Sequence, residues 1–338
     1  MATATMSPRT RAIVLGGLLL VLVVFPLVAD TYWVTTLIRV FYFSLLATSI
    51  GFLIGQGGMT SLAQTAFFGM TGYVIGLMAF ERGWPIGWTL LFALALVAVV
   101  ALLFGMVAMR THGMVFLMIT LAFGQICWAF AQQNTTLLHG WSGIRGIRPP
   151  VVFGIDFSES SNFYWVALVV FVGSIFVLHK IVNSSFGLAL NGVRESPRRM
   201  AALGYPVYWI RVVAFVIAAL YAGIGGIIAT YSIGIITPTS LALSRTIWVL
   251  LMVILGGATY FWGPFVGAMI AIWLDVLISQ HTERYNTIIG AIFVLVVLFA
   301  PQGVLGAIDA LKRKTKTEDS RKSRWRALLG VGTNRKVQ

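Results

Sequence analysis

The chain has one cysteine in 338 residues, Cys127, and it lies inside an apolar run. A single thiol forms neither a disulfide framework within the chain nor a thiolate metal cluster; packing is the ordinary role of such a residue. Histidine is equally sparse. His112, His139, His179 and His281 are scattered, and none stands in an HExxH or related zinc spacing, so no metal chemistry is expected. No GxxxxGK[ST] loop occurs, so the chain cannot cradle nucleotide phosphates itself. GxSxG elbows and paired carboxylates are also missing, and no enzyme activity is expected. Charge is scarce as well. Only 10% of residues are charged, against roughly a quarter in a soluble domain, while 59% are hydrophobic and the mean hydropathy is +0.91. No water-soluble core hides that much apolar surface, so lipid must be the solvent.

What charge there is has a direction. The net charge is +14, and from Lys312 onward the chain carries ten Lys/Arg against two acids, Glu318 and Asp319. A basic segment after a membrane span lies naturally near anionic headgroups on the cytoplasmic side. Membrane lipid is therefore the expected contact, not nucleic acid.

A spanning helix needs about 20 apolar residues at 1.5 Å rise each. That criterion predicts an all-α, polytopic membrane fold with about ten spans, at 12–29, 33–54, 60–80, 85–109, 113–133, 162–178, 212–236, 246–260, 263–279 and 287–308. Residues 246–274 carry no charge, and as one helix they would run roughly 44 Å, too long for a hydrocarbon core of about 30 Å. Gly256-Gly257 and Gly263-Pro264 offer a break, so the run is divided. With both termini cytoplasmic, Arg9, Arg11, Arg110, Lys180, Arg194, Arg198, Arg199, Arg211 and the tail lie inside. Arg39, Arg82, Arg145, Arg148, Arg245 and Arg284 then fall on or near the outer side, a bias of the right sign that favours an even span count. The first span is long for a signal-peptide core and no Ala-x-Ala site follows, so an uncleaved helix is expected. The chain divides into a cytoplasmic N-terminus (1–11), a transmembrane domain (12–308) and a basic cytoplasmic tail (309–338).

One inner loop stands out. Residues 183–208 read NSSFGLALNGVRESPRRMAALGYPVY. Ser196 can cap a helix, Pro197 fits its first turn, and Gly204 with Pro206 ends it. The result is a short helix over 197–203, flanked by Arg194, Glu195, Arg198 and Arg199 and too short to be stable alone. From the residues, a solvated loop obeying topology and a docking site for a cytoplasmic partner are both open.

Five stretches, in order, resemble the permease subunits of branched-chain amino acid ABC importers, specifically the LivM-like half of the pair. The loop follows that family's F-G-x-A-L-x-A-I-R-E-x-x-x-x-A-A-x-x-L-G at Phe186, Gly187, Ala189, Leu190, Arg194, Glu195, Ala201 and Gly204, with Ala201 and Gly204 closer together. GMTSLAQTAFFGMTGY (58–73), RTHGMVFLMITLAFGQI (110–126), LLMVILGGATYFWGPFVGA (250–268) and LFAPQGVLG (298–306) are similar to its other signatures, so the likeness covers about 33–306. The resemblance implies a transmembrane permease of an ATP-binding cassette importer in a bacterial inner (plasma) membrane, with no cofactor of its own. It implies a LivH-like sister permease, two cytoplasmic ATPase subunits that use the ATP, and a periplasmic solute-binding protein. It assigns Gly187, Arg194, Glu195, Ser196, Pro197, Arg198, Arg199, Ala201, Ala202 and Gly204 to a loop that couples to the ATPase. The family's solutes are branched-chain amino acids, with urea, amides and aromatic acids among its relatives. Three positions depart from its pattern: Ala63 stands for a usual Gly with Gln64-Thr65 beside it, His139-Gly140-Trp141 replaces a T-G-G-x-x-G loop, and Gln302 replaces an Arg.

Polar groups within spans are costly unless they face protein or a water-filled path. The richest set is Gln56, Thr60, Ser61, Gln64 and Thr65, at a Gly-rich segment suited to a broken helix, joined by Thr120, Gln125 and Gln132 of the fifth span. The spacing Ser61–Gln64–Thr65 sets three of them on one helical face. They either line a solute path or hydrogen-bond helices together, and Gly69, Gly72 and Gly76 suit close packing. Asp275, the one acid well inside a span, is expected to be a hydrogen-bonded or snorkelling structural group. An ion-coupled secondary transporter or channel is the alternative; it would need no docking loop, and ion coupling calls for several buried ionisable groups together.

Overall fold

Hydrocarbon offers a backbone no hydrogen bonds, so an apolar chain crosses it as helix, and helix dominates this protein. A computed structural model describes residues 17, 22–26, 29–149, 151–152, 155–281, 285–299 and 303–307. Helix α1 (Thr31–Phe52) continues through a π-helical turn, Leu53–Gly57, and stops at Gly58, whose φ of 64° ends it. Residues 58–63 are not helical. Then come α2 (Gln64–Ile75), extended by the π-helical turn Gly76–Glu81, α3 (Ile86–Ala108) and α4 (Met114–Gln133). Three two-residue strands follow, β1 (Ile144–Arg145), β2 (Val151–Val152) and β3 (Ile155–Asp156). The second half holds α5 (Ser160–Val182), α6 (Ser185–Glu195), α7 (Pro197–Ala202), α8 (Val207–Ile233), β4 (Ile235–Ile236), α9 (Leu243–Gly256), α10 (Gly263–Ser279) and α11 (Tyr285–Phe299).

Each expected span after the first starts within about five residues of one of these helices; the last, 287–308, runs past the end of α11 at Phe299 into residues only partly described. The division of 246–274 is present, α9 ending at Gly256 and α10 starting at Gly263. Among the described residues, five helices are long and apolar enough to cross a membrane: α1 with its π-helical turn, α3, α4, α5 and α8. Helices α9, α10 and α11 are shorter, so the structure establishes a polytopic helical fold without fixing ten crossings. The first expected span lies largely outside the described residues, as do 1–11, Gln302 and the basic tail. Residues 22–26 are helical, and Tyr164 Oη on α5 donates to the Leu22 carbonyl at 2.8 Å.

The helices sort by burial. In α1 89% of the most apolar stretch is covered by protein and in α8 67%, against 22% to 28% in α3, α4 and α5. Helices α1 and α8 are therefore the central pair, while α3, α4 and α5 turn Leu91, Val107, Met118, Ile126, Val169 and Phe176 outward, as lipid contact requires. Without a hydrophobic drive between helices in lipid, association depends on close backbone approach at small residues. Gly226 of α8 lies so near the Phe68 carbonyl of α2 that a Cβ would overlap it. In the α9–α10 hairpin, Gly256 meets the Gly263 carbonyl and Gly267 the Met252 carbonyl in the same way. At the end of the bundle away from α7, β1 pairs antiparallel with β4, Ile144 opposite Ile236. That pairing fastens the α4–α5 connection onto the α8–α9 connection, and β2 and β3 form a small hairpin beside it in sequence.

Because backbone carbonyls cannot retreat, Gly267→Val and Gly256→Leu should sharply reduce the monodisperse protein extractable from membranes. Gly87→Ala and Gly173→Ala, where an added methyl meets nothing within 4 Å, should keep yield and apparent melting temperature or raise them slightly. Equal yields from all four variants would contradict the packing described.

Candidate functional site

The break after α1 is lined with polar groups. Ser61, Gln64, Thr65 and Thr120 are all fully buried. The Leu62 amide donates to Thr120 Oγ1 at 3.2 Å and the Ala63 amide to Ser61 Oγ at 3.3 Å. Thr65 Oγ1 lies 2.5 Å from Thr246 Oγ1 of α9, either hydroxyl donating. Gln64 is the exception: neither its amide oxygen nor its amide nitrogen has a hydrogen-bond partner. One expectation is corrected here. Ser61 does not share a helical face with Gln64 and Thr65, because helix begins only at Gln64 and Ser61 lies in the irregular segment. A bond from Leu62 to Thr120 of α4 holds that segment, and helical periodicity does not extend through it.

The other expected path residues scatter. Thr60 reaches a cavity on the α7 side of the break. Gln125 is half-buried on α4, and its side chain makes no hydrogen bond among the described residues. Gln56 is turned elsewhere, its Oε1 accepting from Asn191 Nδ2 of α6 at 2.8 Å. The cavity holds about 350 Å³ and is lined by Thr60, Thr111, His112 and Arg211, with Met59, Met109, Met114, Phe116 and Leu117 as apolar wall.

Around α7 the local rules hold. Ser196 caps the helix by accepting from the Arg199 amide at 3.4 Å, Pro197 opens it, and Gly204 leaves it at φ 84°. No residue of α7 is buried. Arg194 bonds the Gly55 carbonyl in the last turn of α1, which a helix end leaves without an internal partner. Gly187 forms the tight corner between α5 and α6, where a Cβ would overlap the Val182 carbonyl. Glu195, Arg198, Arg199, Ala201 and Ala202 are exposed, and Leu203 is 66% exposed beside them.

At the opposite end, Arg39 of α1 donates to Asp275 of α10 at 2.7 Å. Asp275 is thus the hydrogen-bonded structural acid expected, and its partner is one that sequence reasoning missed. Two lone ionisable groups in separate apolar runs were the available signal. The Arg39 and Arg245 guanidinium carbons stand 5.9 and 5.4 Å from the centre of the Phe43 ring, on whose face cations are favoured. His139, at φ 57°, brings its Nε2 within 2.7 Å of Glu81 Oε1. Among the described residues no group of three or more His, Cys, Asp or Glu could hold a metal.

A family model for the permease component of branched-chain amino acid transport systems matches residues 32–300. The chain belongs to this family. The permease is 27% identical over 315 residues to the high-affinity branched-chain amino acid transport system permease proteins LivM of Salmonella typhimurium and Escherichia coli, covering 86% of its own length and 74% of theirs. A probable LivM of Methanocaldococcus jannaschii is 22% identical over 182 residues, 48% of this permease and 52% of that protein. No solved structure gives a significant match. The permease is therefore a multi-pass membrane component of a transport system and not an enzyme.

Removing one member of the Arg39–Asp275 pair strands the other charge. Asp275→Ala or Arg39→Ala should each cost about 2 kcal/mol, below the value for a fully buried pair because Arg39 is 38% exposed. The double variant should recover part of that loss in a thermal-unfolding series. Losses that simply add would show that the two residues do not act as a pair.

Proposed function

We propose that this permease is one transmembrane half of an ATP-driven importer for branched-chain amino acids or a related small amphipathic solute. A separate ATPase docks on α7. In this reading the α7 end is cytoplasmic, both termini lie on that side, and the membrane is the bacterial inner membrane. A sister permease of the LivH type completes the path, two ATPase subunits sit beneath the pair, and a periplasmic binding protein delivers solute to the end bearing His139 and Trp141.

The observation that carries the reading is a six-residue helix that is almost wholly exposed, with only Met200 half-buried against the core. Six residues do not form a stable helix alone; a cap adds about 1 kcal/mol, and tertiary packing normally supplies the rest. Yet α7 buries no residue. A partner's surface is the natural complement, with Glu195, Arg198 and Arg199 offering charge and Leu203 apolar contact. Such a contact also has a route inward. Arg194 and Asn191 tie α6 to the last turn of α1 at Gly55 and Gln56. Immediately beyond that turn the chain breaks and re-enters as α2 at Gln64. Displacing α7 thus pulls on the polar break, which is the part of the bundle suited to pass a hydrated or zwitterionic solute.

Reconstitution of the whole transporter, measuring solute uptake against ATP hydrolysis, tests this. Arg194→Ala removes a charge-assisted bond, so uptake per ATP should fall about tenfold or more while membrane insertion persists; Gly204→Val, forced into a positive φ, should act in the same direction. Coupled uptake at full rate in both variants would remove α7 from the mechanism. Uptake by the permease without any ATPase would favour a secondary transporter or channel.

A further inference from the structure

We infer that the cavity on the α7 side of the break is an anion site in which Arg211 grips a carboxylate, with the methionine-rich wall taking the solute's aliphatic part. The inference deepens the importer reading, and rests on it for the side of the membrane that the cavity faces. Arg211 is the fifth residue of α8. Its Nε is buried without a hydrogen-bond partner, and no acid among the described residues pairs with it; the ion pairs there are Arg39–Asp275 and His139–Glu81. A guanidinium stays charged at any physiological pH, and its planar fork matches a carboxylate in two parallel hydrogen bonds. Leaving the buried Nε donor without a partner is costly, so an arriving anion gains what the empty cavity lacks.

The rest of the lining fits the same ligand. No acid lines the cavity, so nothing repels an anion. Helix α4 begins at its rim, after Gly113, and the first amides of a helix add positive potential there. The lining also includes Met59, Met109 and Met114, flexible and polarizable side chains that accept varied aliphatic shapes. A volume of about 350 Å³ lies at the small end of ligand sites, suited to a free amino acid or a short-chain acid. A lipid phosphate presents similar anionic oxygens, so the test separates the two sources.

The experiment uses the complete transporter in liposomes, with Cys127→Ala removing the native thiol and His112→Cys at the cavity rim reporting access by its rate of maleimide labelling. Leucine and 4-methylpentanoate, which carry the carboxylate, should slow labelling; leucinamide, which lacks it, should not. Arg211→Gln should weaken protection by leucine and 4-methylpentanoate about tenfold or more, with Arg211→Lys restoring part of it, and the unprotected labelling rate checks that each variant is folded. Protection by phosphatidylglycerol vesicles without solute, lost in Arg211→Gln and missing in phosphatidylcholine, would support the anion site and assign its occupant to lipid. Equal protection by leucinamide, or protection unchanged in Arg211→Gln, would overturn the inference. Uptake in the same vesicles keeps the two claims apart: ATP-driven uptake without Arg211-dependent protection sinks the site and spares the importer, whereas uptake without the ATPase sinks the importer and leaves protection to decide the site.

Discussion

Every interruption of a helix inside a bilayer must be closed by protein, because the lipid returns no hydrogen bond. Two interruptions shape this permease, residues 58–63 after α1 and residues 257–262 between α9 and α10, and they meet at one residue. Gly55 gives its carbonyl to Arg194 of α6, and its bare Cα lets the Ala258 carbonyl pack so close that a Cβ would overlap it. Four residues earlier, Gly51 is pressed against the Pro264 ring at the start of α10. The end of α1, the α9–α10 turn and the helix leading into α7 therefore share one contact region. Because packed backbones shift between discrete arrangements and do not deform smoothly, a displacement of α6 is felt by both breaks together.

Charge is treated differently at the two ends. Away from α7, Arg39 and Asp275 neutralise one another across α1 and α10, and Arg245 shares the face of Phe43. That arrangement braces the bundle; a single ion pair between two helices gives no chain of ionisable groups along which a proton or sodium ion could be relayed. On the α7 side, Arg194 is spent on a helix-end carbonyl, while Arg211 lines a cavity and no acid among the described residues pairs with it. The first set holds helices, and the last is available to a ligand.

The features legible in the sequence were those governed by near neighbours. Apolar run length located the helices, Gly256 and Gly263 marked the hairpin, and the Ser196-Pro197 pair with Gly204 delimited α7. The pairs that were not legible join distant points of the chain: Arg39 with Asp275, Thr65 with Thr246, and Asn191 with Gln56 are brought together only by tertiary packing. Arg211 read as one more charge of an inner loop, since nothing in its neighbours announces a cavity. The Ser61 face failed for a related reason. Periodicity extrapolates a helix through any polar stretch of suitable spacing, whereas here Gly58 ends the helix at positive φ and the Leu62 amide is bonded to Thr120 of α4.

Gln64 ties these levels together. A fully buried amide with no partner costs about 1–3 kcal/mol, and Gln64 carries that cost while its neighbours Ser61, Thr65 and Thr120 are paired. It sits at the first turn of α2, beyond a break with a cavity on its α7 side. Under the importer reading this is a closed junction above an inward-facing chamber. In that reading a passing solute's polar end would meet the unpaired Gln64 amide at the junction and the Arg211 guanidinium in the chamber, with methionine against its aliphatic end. On the same reading the unmet hydrogen bonds of Gln64 and Arg211 lie where a transient occupant would supply them, and permanent pairing of Gln64 would stabilise the bundle while removing that attraction.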